Sequence, residues 1–224
     1  MKEPLYLLRA LIYPEHCPYC GKPVEPHEIA CNACMEIIKR KHSPIQGGAA
    51  GFRCISSFVY DGKVRRAVLR IKYRKRVQYI PQLATILSKD IKSCYGEECF
   101  DLITAVPMHK TDVKERGYNQ SELLAKEMSK LLGVQYADTL IKTKRTKKQH
   151  DLNFTERKTN LSGAFTLTDK EVLTGKRILL IDDIITSGNT LSKCCKVLSK
   201  AKPSKICCAT IASAQNKYPK ETII

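Results

Sequence analysis

Arg177-Ile-Leu-Leu-Ile-Asp-Asp-Ile-Ile-Thr-Ser-Gly-Asn-Thr190 is the stretch on which the reading of this chain turns. Ile178 to Ile181 is a short apolar run, the pattern of a strand buried on both faces of a parallel sheet. Two carboxylates, Asp182 and Asp183, follow it directly. Thr186-Ser187-Gly188-Asn189-Thr190 then supplies hydroxyls and one glycine. Beyond it Leu191, Cys194, Cys195 and Leu198 recur at i, i+3, i+4 and i+7, one face of a helix. The expected order is strand, acid pair, hydroxyl-rich loop, helix start. A helix start presents unpaired N–H groups and the positive end of a dipole, which suits a phosphate. Carboxylates beside it suit the vicinal hydroxyls of a sugar, which donate to them. A ribose 5-phosphate carries both groups.

The flanking segments repeat the alternation. Phe52 to Tyr60 reads as a strand, and Lys63 to Tyr73 as a helix with Val64, Ala67, Val68 and Ile71 on one face. Leu102 to Val106 is another buried-type strand, ending at Pro107-Met108-His109-Lys110. Ser121 to Leu132 reads as a helix with Leu124, Met128 and Leu131 on one face and Gly133 as its stop. Tyr136 to Ile141 and Lys205 to Ala212 are further strands. This succession implies an α/β fold, a parallel sheet flanked by helices, with ligand at the carboxyl ends of the strands. Gly47-Gly-Ala-Ala-Gly51 reads as a flexible linker. It divides the chain into a small module over residues 1–50 and an α/β domain over 51–224. Lys142 to Asn160 reads as a long, polar, basic loop.

The sequence has 39 basic and 22 acidic residues, a formal net charge of +17, and 43% hydrophobic residues. The apolar share is that of a globular protein with a proper core. The charge favours a polyanionic partner, nucleic acid above all, and equally serves solubility and phosphate steering. It concentrates at Arg65, Arg66, Arg70, Lys72, Arg74, Lys75 and Arg76, interleaved with Tyr73 and Tyr79. A surface that tracks a single strand and stacks its bases has this composition, and so does a solvated basic helix face. Leu5 to Tyr13 is apolar but short and broken by Arg9, so neither a signal peptide nor a membrane span is expected. A cytoplasmic location follows as an expectation, and with it metal and core use of the 11 cysteines in place of disulfides. Cys194, Cys195, Cys207 and Cys208 sit in apolar patterns as core thiols.

Cys17-Pro-Tyr-Cys20-Gly21 and Cys31-Asn-Ala-Cys34 are two C-x-x-C knuckles separated by ten residues. Each brings two thiolates to one ion, and four complete a tetrahedral zinc shell. The intervening segment, with Pro23 and Pro26, has too little apolar material for a core, and a metal would supply the missing folding energy. Such a closed shell is structural, not catalytic. An iron–sulfur cluster uses the same ligands. His16, His27 and His42 are read as bystanders.

Leu180 to Thr190 resembles the phosphoribosyl pyrophosphate (PRPP) loop of the type I phosphoribosyltransferases. The resemblance implies that Asp182 and Asp183 hold the ribose hydroxyls and that Thr186, Ser187, Gly188, Asn189 and Thr190 wrap the 5-phosphate. It places Pro107, Met108, His109 and Lys110 against the pyrophosphate, with magnesium accompanying the ligand. The basic loop corresponds in position to the mobile loop that closes over PRPP. A wider set of motifs resembles the ComF family of bacterial competence proteins: the four-cysteine module, Tyr60-Asp-Gly, Leu69-Arg-Ile-Lys-Tyr73, Val106-Pro-Met-His-Lys110, Arg116-Gly-Tyr-Asn-Gln120, Arg145-Thr-Lys-Lys-Gln149 and Arg157 to Asn160. Ser187 stands where that loop commonly has a second threonine, which keeps the hydroxyl. The family resemblance implies a part in DNA uptake and natural transformation, with PRPP and single-stranded DNA as ligands. A DNA-uptake helicase or a recombination mediator is the partner expected in that setting. Two alternatives stand beside it. One is an active phosphoribosyltransferase joining ribose 5-phosphate to a nitrogen nucleophile, with Asp182 and Asp183 positioning the ribose and Arg145 or Lys148 guarding the pyrophosphate. The other is a catalytically idle PRPP sensor. No segment of the sequence announces an acceptor pocket.

Overall fold

The computed structural model describes residues 15–25, 28–42, 44–49, 51–96, 100–144 and 163–214. Seven strands are present among them: β1 (Ile45–Ala49), β2 (Phe52–Val59), β3 (Leu102–Ala105), β4 (Leu140–Lys142), β5 (Phe165–Leu167), β6 (Arg177–Ile185) and β7 (Lys205–Ser213). Six helices accompany them: α1 (Asn32–Lys41), α2 (Gly62–Arg74), α3 (Ile80–Tyr95), α4 (Lys110–Arg116), α5 (Gln120–Leu132) and α6 (Asn189–Leu198). Five strands form one sheet in the order β1-β2-β7-β6-β3, while β4 and β5 pair separately. Within the main sheet β2, β7, β6 and β3 run parallel, and only β1 is antiparallel to its neighbour.

The apolar runs that predict the central strands are buried on both faces. Successive strand residues point to opposite sides. Leu179 and Ile181 of β6, with Cys207, Ala209 and Ile211 of β7, therefore pack with α2, α3 and α5. Ile178, Leu180, Ile206 and Cys208 pack on the other face with Leu191, Cys194, Cys195 and Leu198 of α6. Each fully buried Leu or Ile contributes about 2 kcal/mol on leaving water, so the central strands fix the layering. The predicted helix faces are reproduced: Val64, Ala67, Val68 and Ile71 are buried in α2, and all four expected residues are buried in α6. The ten described cysteines are free thiols, and Cys194, Cys195, Cys207 and Cys208 are core groups as expected.

Four expectations give way. Gly47 to Ala49, expected as linker, is part of edge strand β1, which pairs with β2 from Ile45 opposite Ser56 to Ala49 opposite Phe52. The neighbouring cysteine segment packs Cys17, Tyr19, Ala30, Cys34 and Ile38 into the same core as α2 and α3. The segment Tyr136 to Ile141 is not one strand. Tyr136 makes a single bridge to Ile103, and Leu140–Lys142 pairs with β5. Leu131 is exposed while Ala125 takes the buried position on α5. Finally, β6 does not end before the acids. Its ladder with β7 continues through Asp182 opposite Thr210 to Ile185 opposite Ser213, because Ile184 and Ile185 extend the apolar run past the carboxylates.

Candidate functional site

Because β6 runs through them, Asp182 and Asp183 are consecutive strand residues and point to opposite sides. Asp182 faces a cleft of about 220 Å³ lined by Ile184 to Leu191, which contains the whole predicted loop. Asp183 borders a narrow apolar gap between Val68, Ile71, Ile80, Leu83, Leu124 and Ile211, with Gln120 at its polar end. Between the strand and α6 only Thr186, Ser187 and Gly188 lie outside regular structure. Gly188 caps the helix at φ 73°, a left-handed conformation that favours glycine. Asn189 and Thr190 are thus the first residues of α6. Gly188 has no side chain to cap the helix, Ser187 Oγ accepts from the Asn189 N–H at 3.5 Å, and the first residues of α6 line the cleft.

The acids are held by the Arg116 to Gln120 motif and the residue after it, a contact the sequence did not disclose. Ser121 Oγ donates to Asp182 Oδ1 at 2.7 Å, and Gln120 Nε2 donates to Asp183 Oδ2 at 3.2 Å. Both donors belong to the first turn of α5. Asn119 caps that helix, accepting from the Ser121 N–H while its Nδ2 donates to the Val106 carbonyl at 3.0 Å. Arg116 Nη1 donates to Gln120 Oε1 at 2.5 Å, which orients the amide. Gly117 ends α4 at φ 92°, and the Tyr118 hydroxyl donates to the Ile71 carbonyl, tying this turn to α2. From α2 itself, Lys72 Nζ lies 3.8 Å from Asp183 Oδ2. Arg116-Gly-Tyr-Asn-Gln120 thus has a role in supporting the acids, and Ser121 and Lys72 join it.

These surroundings set the charge. Burial, then the neighbouring Asp183 charge, pushes the Asp182 carboxyl up to about 7, against the opposing pull of the Ser121 hydroxyl. The Asp183 charge raises the Lys72 ammonium above its ordinary value despite burial. Lys142, at the end of β4, feels Asp112, Cys194 and Asp182, and burial draws its ammonium down.

The remaining predicted ligand residues converge on the same end of the sheet. β3 and β6 pair in register up to Ala105 opposite Ile181, so Val106 to Lys110 leave the sheet beside the acid pair. His109 caps α4, its Nδ1 accepting from the Thr111 N–H at 3.2 Å, which leaves Nε2 as the nitrogen that donates in the neutral ring. Met108 is half-buried and Lys110 is exposed. Arg145 and Lys148 lie outside the described residues, as do Gln149 and the segment Arg157 to Asn160.

The cysteine cluster forms on its own terms. Cys17, Cys20, Cys31 and Cys34 place their four sulfurs within 4.8 Å of one another, an arrangement that can hold a metal ion. The first knuckle closes through Gly21 N–H to the Cys17 carbonyl and Cys17 N–H to the Lys22 carbonyl, both 2.8 Å. The second lies at the start of α1. The Cys20 and Cys31 sulfurs are 3.5 Å apart. Tetrahedral zinc with Zn–S near 2.3 Å requires sulfurs separated by about 3.8 Å. Helix α2 braces the cluster: Lys63 Nζ donates to Cys34 Sγ at 3.2 Å, and Arg70 donates to the carbonyls of Pro18 and Cys20 at 3.1 Å each. Gly21, at φ 86°, lets this guanidinium approach. A Cβ there would lie 3.3 Å from it.

The predicted basic surface is accordingly divided. Arg65, Arg66, Arg74, Lys75 and Arg76 are exposed. Tyr73 is exposed too, with the Arg116 guanidinium 5.7 Å from its ring centre. Arg70 is turned inward to the cysteine knuckle and Lys72 to Asp183. Tyr79 is buried in the core and offers no stacking surface. No described helix is long and apolar enough to cross a membrane.

Residues 119–223 match the family described as Phosphoribosyl transferase domain, a span that takes in α5, the acid pair and the loop. Over 186 residues the chain is 28% identical to the DNA utilization protein YhgH of Salmonella typhimurium, covering 81% of this chain and 77% of that protein. It is 27% identical over 190 residues to competence protein F of Haemophilus influenzae, with 83% and 79% coverage. It is 28% identical over 198 residues to competence protein ComFC of Bacillus subtilis, with 87% and 76% coverage.

Proposed function

We propose that this chain, a homologue of the ComF-type competence proteins, binds PRPP with magnesium at the acid pair and single-stranded DNA on the exposed face of α2. The observation that carries the ligand reading is the junction of β6 and α6. The buried Asp182 carboxyl and the start of α6 line one cleft, and Asp183, on the other side of the strand, is separated from that helix by five residues. The helix start and the hydroxyls of Thr186, Ser187 and Thr190 suit the 5-phosphate, and the carboxylates suit the sugar hydroxyls. Hard oxygen donors at this junction also fit magnesium, which binds through a few carboxylates together with substrate phosphates. Met108, His109 and Lys110 are the candidates for the pyrophosphate. The relatives' names, DNA utilization protein and competence protein, support a role in competence, and a cytoplasmic setting with a helicase or a recombination mediator as partner belongs to the same reading.

The donor set of the cysteine cluster, four thiols gathered within 4.8 Å of one another, suits zinc in a closed structural shell. An iron–sulfur cluster takes the same ligands, and metal analysis with an optical spectrum separates the two.

A second reading, an active phosphoribosyltransferase, is favoured by one feature that the sequence did not announce. An apolar gap lies against Asp183 beside the proposed ribose site, and an acceptor would have to part the surrounding core to enter it. Pyrophosphate release from PRPP across a panel of nitrogen bases tests it, and silence across the panel removes it.

The primary reading is tested by titrating PRPP with magnesium into wild type and an Asp182→Ala/Asp183→Ala variant, then measuring oligothymidylate binding by both. Saturable PRPP heat in wild type alone, with DNA binding that falls steeply with salt, is the expected outcome. Equal heats in the two proteins would remove the acid pair from the site, and salt-independent or absent DNA binding would remove the DNA ligand.

A further inference from the structure

We infer that Lys72 is an internal counter-ion for the ligand-free acid pair, and that its release couples PRPP binding to the nucleic-acid face of α2. The inference rests on the ligand reading proposed above. Lys72 Nζ stands 3.8 Å from Asp183 Oδ2, with only 23% of the lysine side chain and 12% of the aspartate side chain exposed. It is a cation paired with Asp183. It also belongs to the basic helix, seven positions after Arg65, so the two project from the same stripe of α2. Burial raises the Tyr60 hydroxyl, just before the helix, against the charges of Lys72 and Arg65.

A buried acid pair needs a compensating cation, and Lys72 supplies one in the free protein. Magnesium arriving with PRPP supplies another. An ammonium and a divalent cation beside one carboxylate repel each other, so the ligand displaces the lysine. The released side chain is long enough to turn toward solvent, where Arg65, Arg66, Arg74, Lys75 and Arg76 already lie exposed. The face that would meet a phosphate backbone then gains one cation. Linkage makes the effect mutual: a strand that draws Lys72 outward uncovers Asp183 and tightens PRPP by the same factor. The turn at Arg116 to Tyr118, fixed to Tyr73 and to the Ile71 carbonyl, holds the end of α2 so that the side chain moves without the helix.

The test uses the full chain, a fluorescein-labelled oligothymidylate and PRPP with magnesium. In wild type, saturating PRPP tightens oligothymidylate binding by about five-fold. It also steepens the dependence of log K on log salt by about 0.7. Lys72→Ala and the size-conserving Lys72→Gln lose both effects while still taking up PRPP at equal or higher affinity. Three results overturn the inference while the PRPP reading stands: unchanged oligothymidylate affinity in wild type despite PRPP heat, coupling that survives in both variants, or PRPP binding lost in both, which would make Lys72 a direct ligand contact. Absence of PRPP heat in wild type sinks the ligand reading, and the coupling with it.

Discussion

At the cysteine cluster the four sulfurs come from two short turns, Cys17–Gly21 and Cys31–Cys34, each closed by its own backbone hydrogen bonds. At the acid pair the two carboxylates come from one strand, but their partners come from two other places: Gln120 and Ser121 on α5, and Lys72 on α2. The first site is built locally and then attached. The second exists only when the sheet, α5 and α2 are already in place. A locally built site should fail with its own ligands and its metal, whereas a distributed one should respond to changes far away in sequence. Helix α2 joins the two, since Arg70 and Lys63 reach the cysteines and Lys72 reaches the acids.

The largest expected effect lies on the local side. Cys17→Ser or Cys31→Ser should abolish metal uptake and cost at least about 3 kcal/mol, because metal binding and folding are one process in such modules. Elemental analysis and thermal unfolding read both. Since Cys17 and Cys34 share a core with α2 and α3, the loss should reach the whole transition. An unchanged transition would show the module to be separable after all.

Arg70→Ala comes next. It strips two charge-assisted hydrogen bonds from the Pro18 and Cys20 carbonyls and should cost about 1.5–3 kcal/mol. Metal should still bind but exchange faster with a chelator. If chelation is not accelerated, the brace from α2 has no part in holding the knuckle.

On the distributed side the pH dependence carries a definite sign. A carboxyl raised to about 7 in the folded protein binds its proton where the unfolded chain has already lost it. The strain is therefore absent below the unfolded value near 4 and grows as pH rises through 7. Asp182→Asn should stabilise the ligand-free protein by about 2 kcal/mol at pH 8 and by little at pH 4, read from unfolding curves. Magnesium-dependent PRPP affinity should move oppositely, rising from pH 6 to 8 as the pair ionises. A pH-independent effect of the substitution would place Asp182 in a more solvated setting than the one described.

The smallest effects on stability test the exposed face. Arg65→Ala and Arg66→Ala should each leave stability within about 0.5 kcal/mol. Each should lower the salt slope of oligothymidylate binding by about 0.7, read by fluorescence anisotropy. Slopes equal to wild type would move the nucleic-acid surface elsewhere.

The two sites also differ in how far the sequence disclosed them. The cysteine spacing exposed its geometry because the ligands and the glycine they need are neighbours in the chain. The strand–loop–helix run around the acids was equally plain in its order, and the helix faces of α2 and α6 followed from period alone. What stayed hidden depended on distance. Ser121 looked like the polar start of a helix and Gln120 like the end of the motif before it, and only the packing of α5 against β6 brings them onto the carboxylates. Arg70 and Lys72 read as two members of a basic run, because charge along a helix does not say which members turn inward. Gly47 to Ala49 looked like a linker because glycines also make an edge strand when a partner such as β2 is at hand. The apolar gap carried no signal at all: its walls are ordinary core residues of four elements.

The central claim is that the acid pair and the start of α6 form one seat for a phosphorylated ribose. Phosphorus NMR of PRPP with magnesium, in the presence of wild type and of the Asp182→Ala/Asp183→Ala variant, tests it most directly. The account predicts that wild type shifts and broadens the 5-phosphate and pyrophosphate resonances, and that the variant leaves them as in free solution. Resonances unaffected by wild type, or affected alike by both proteins, would contradict it.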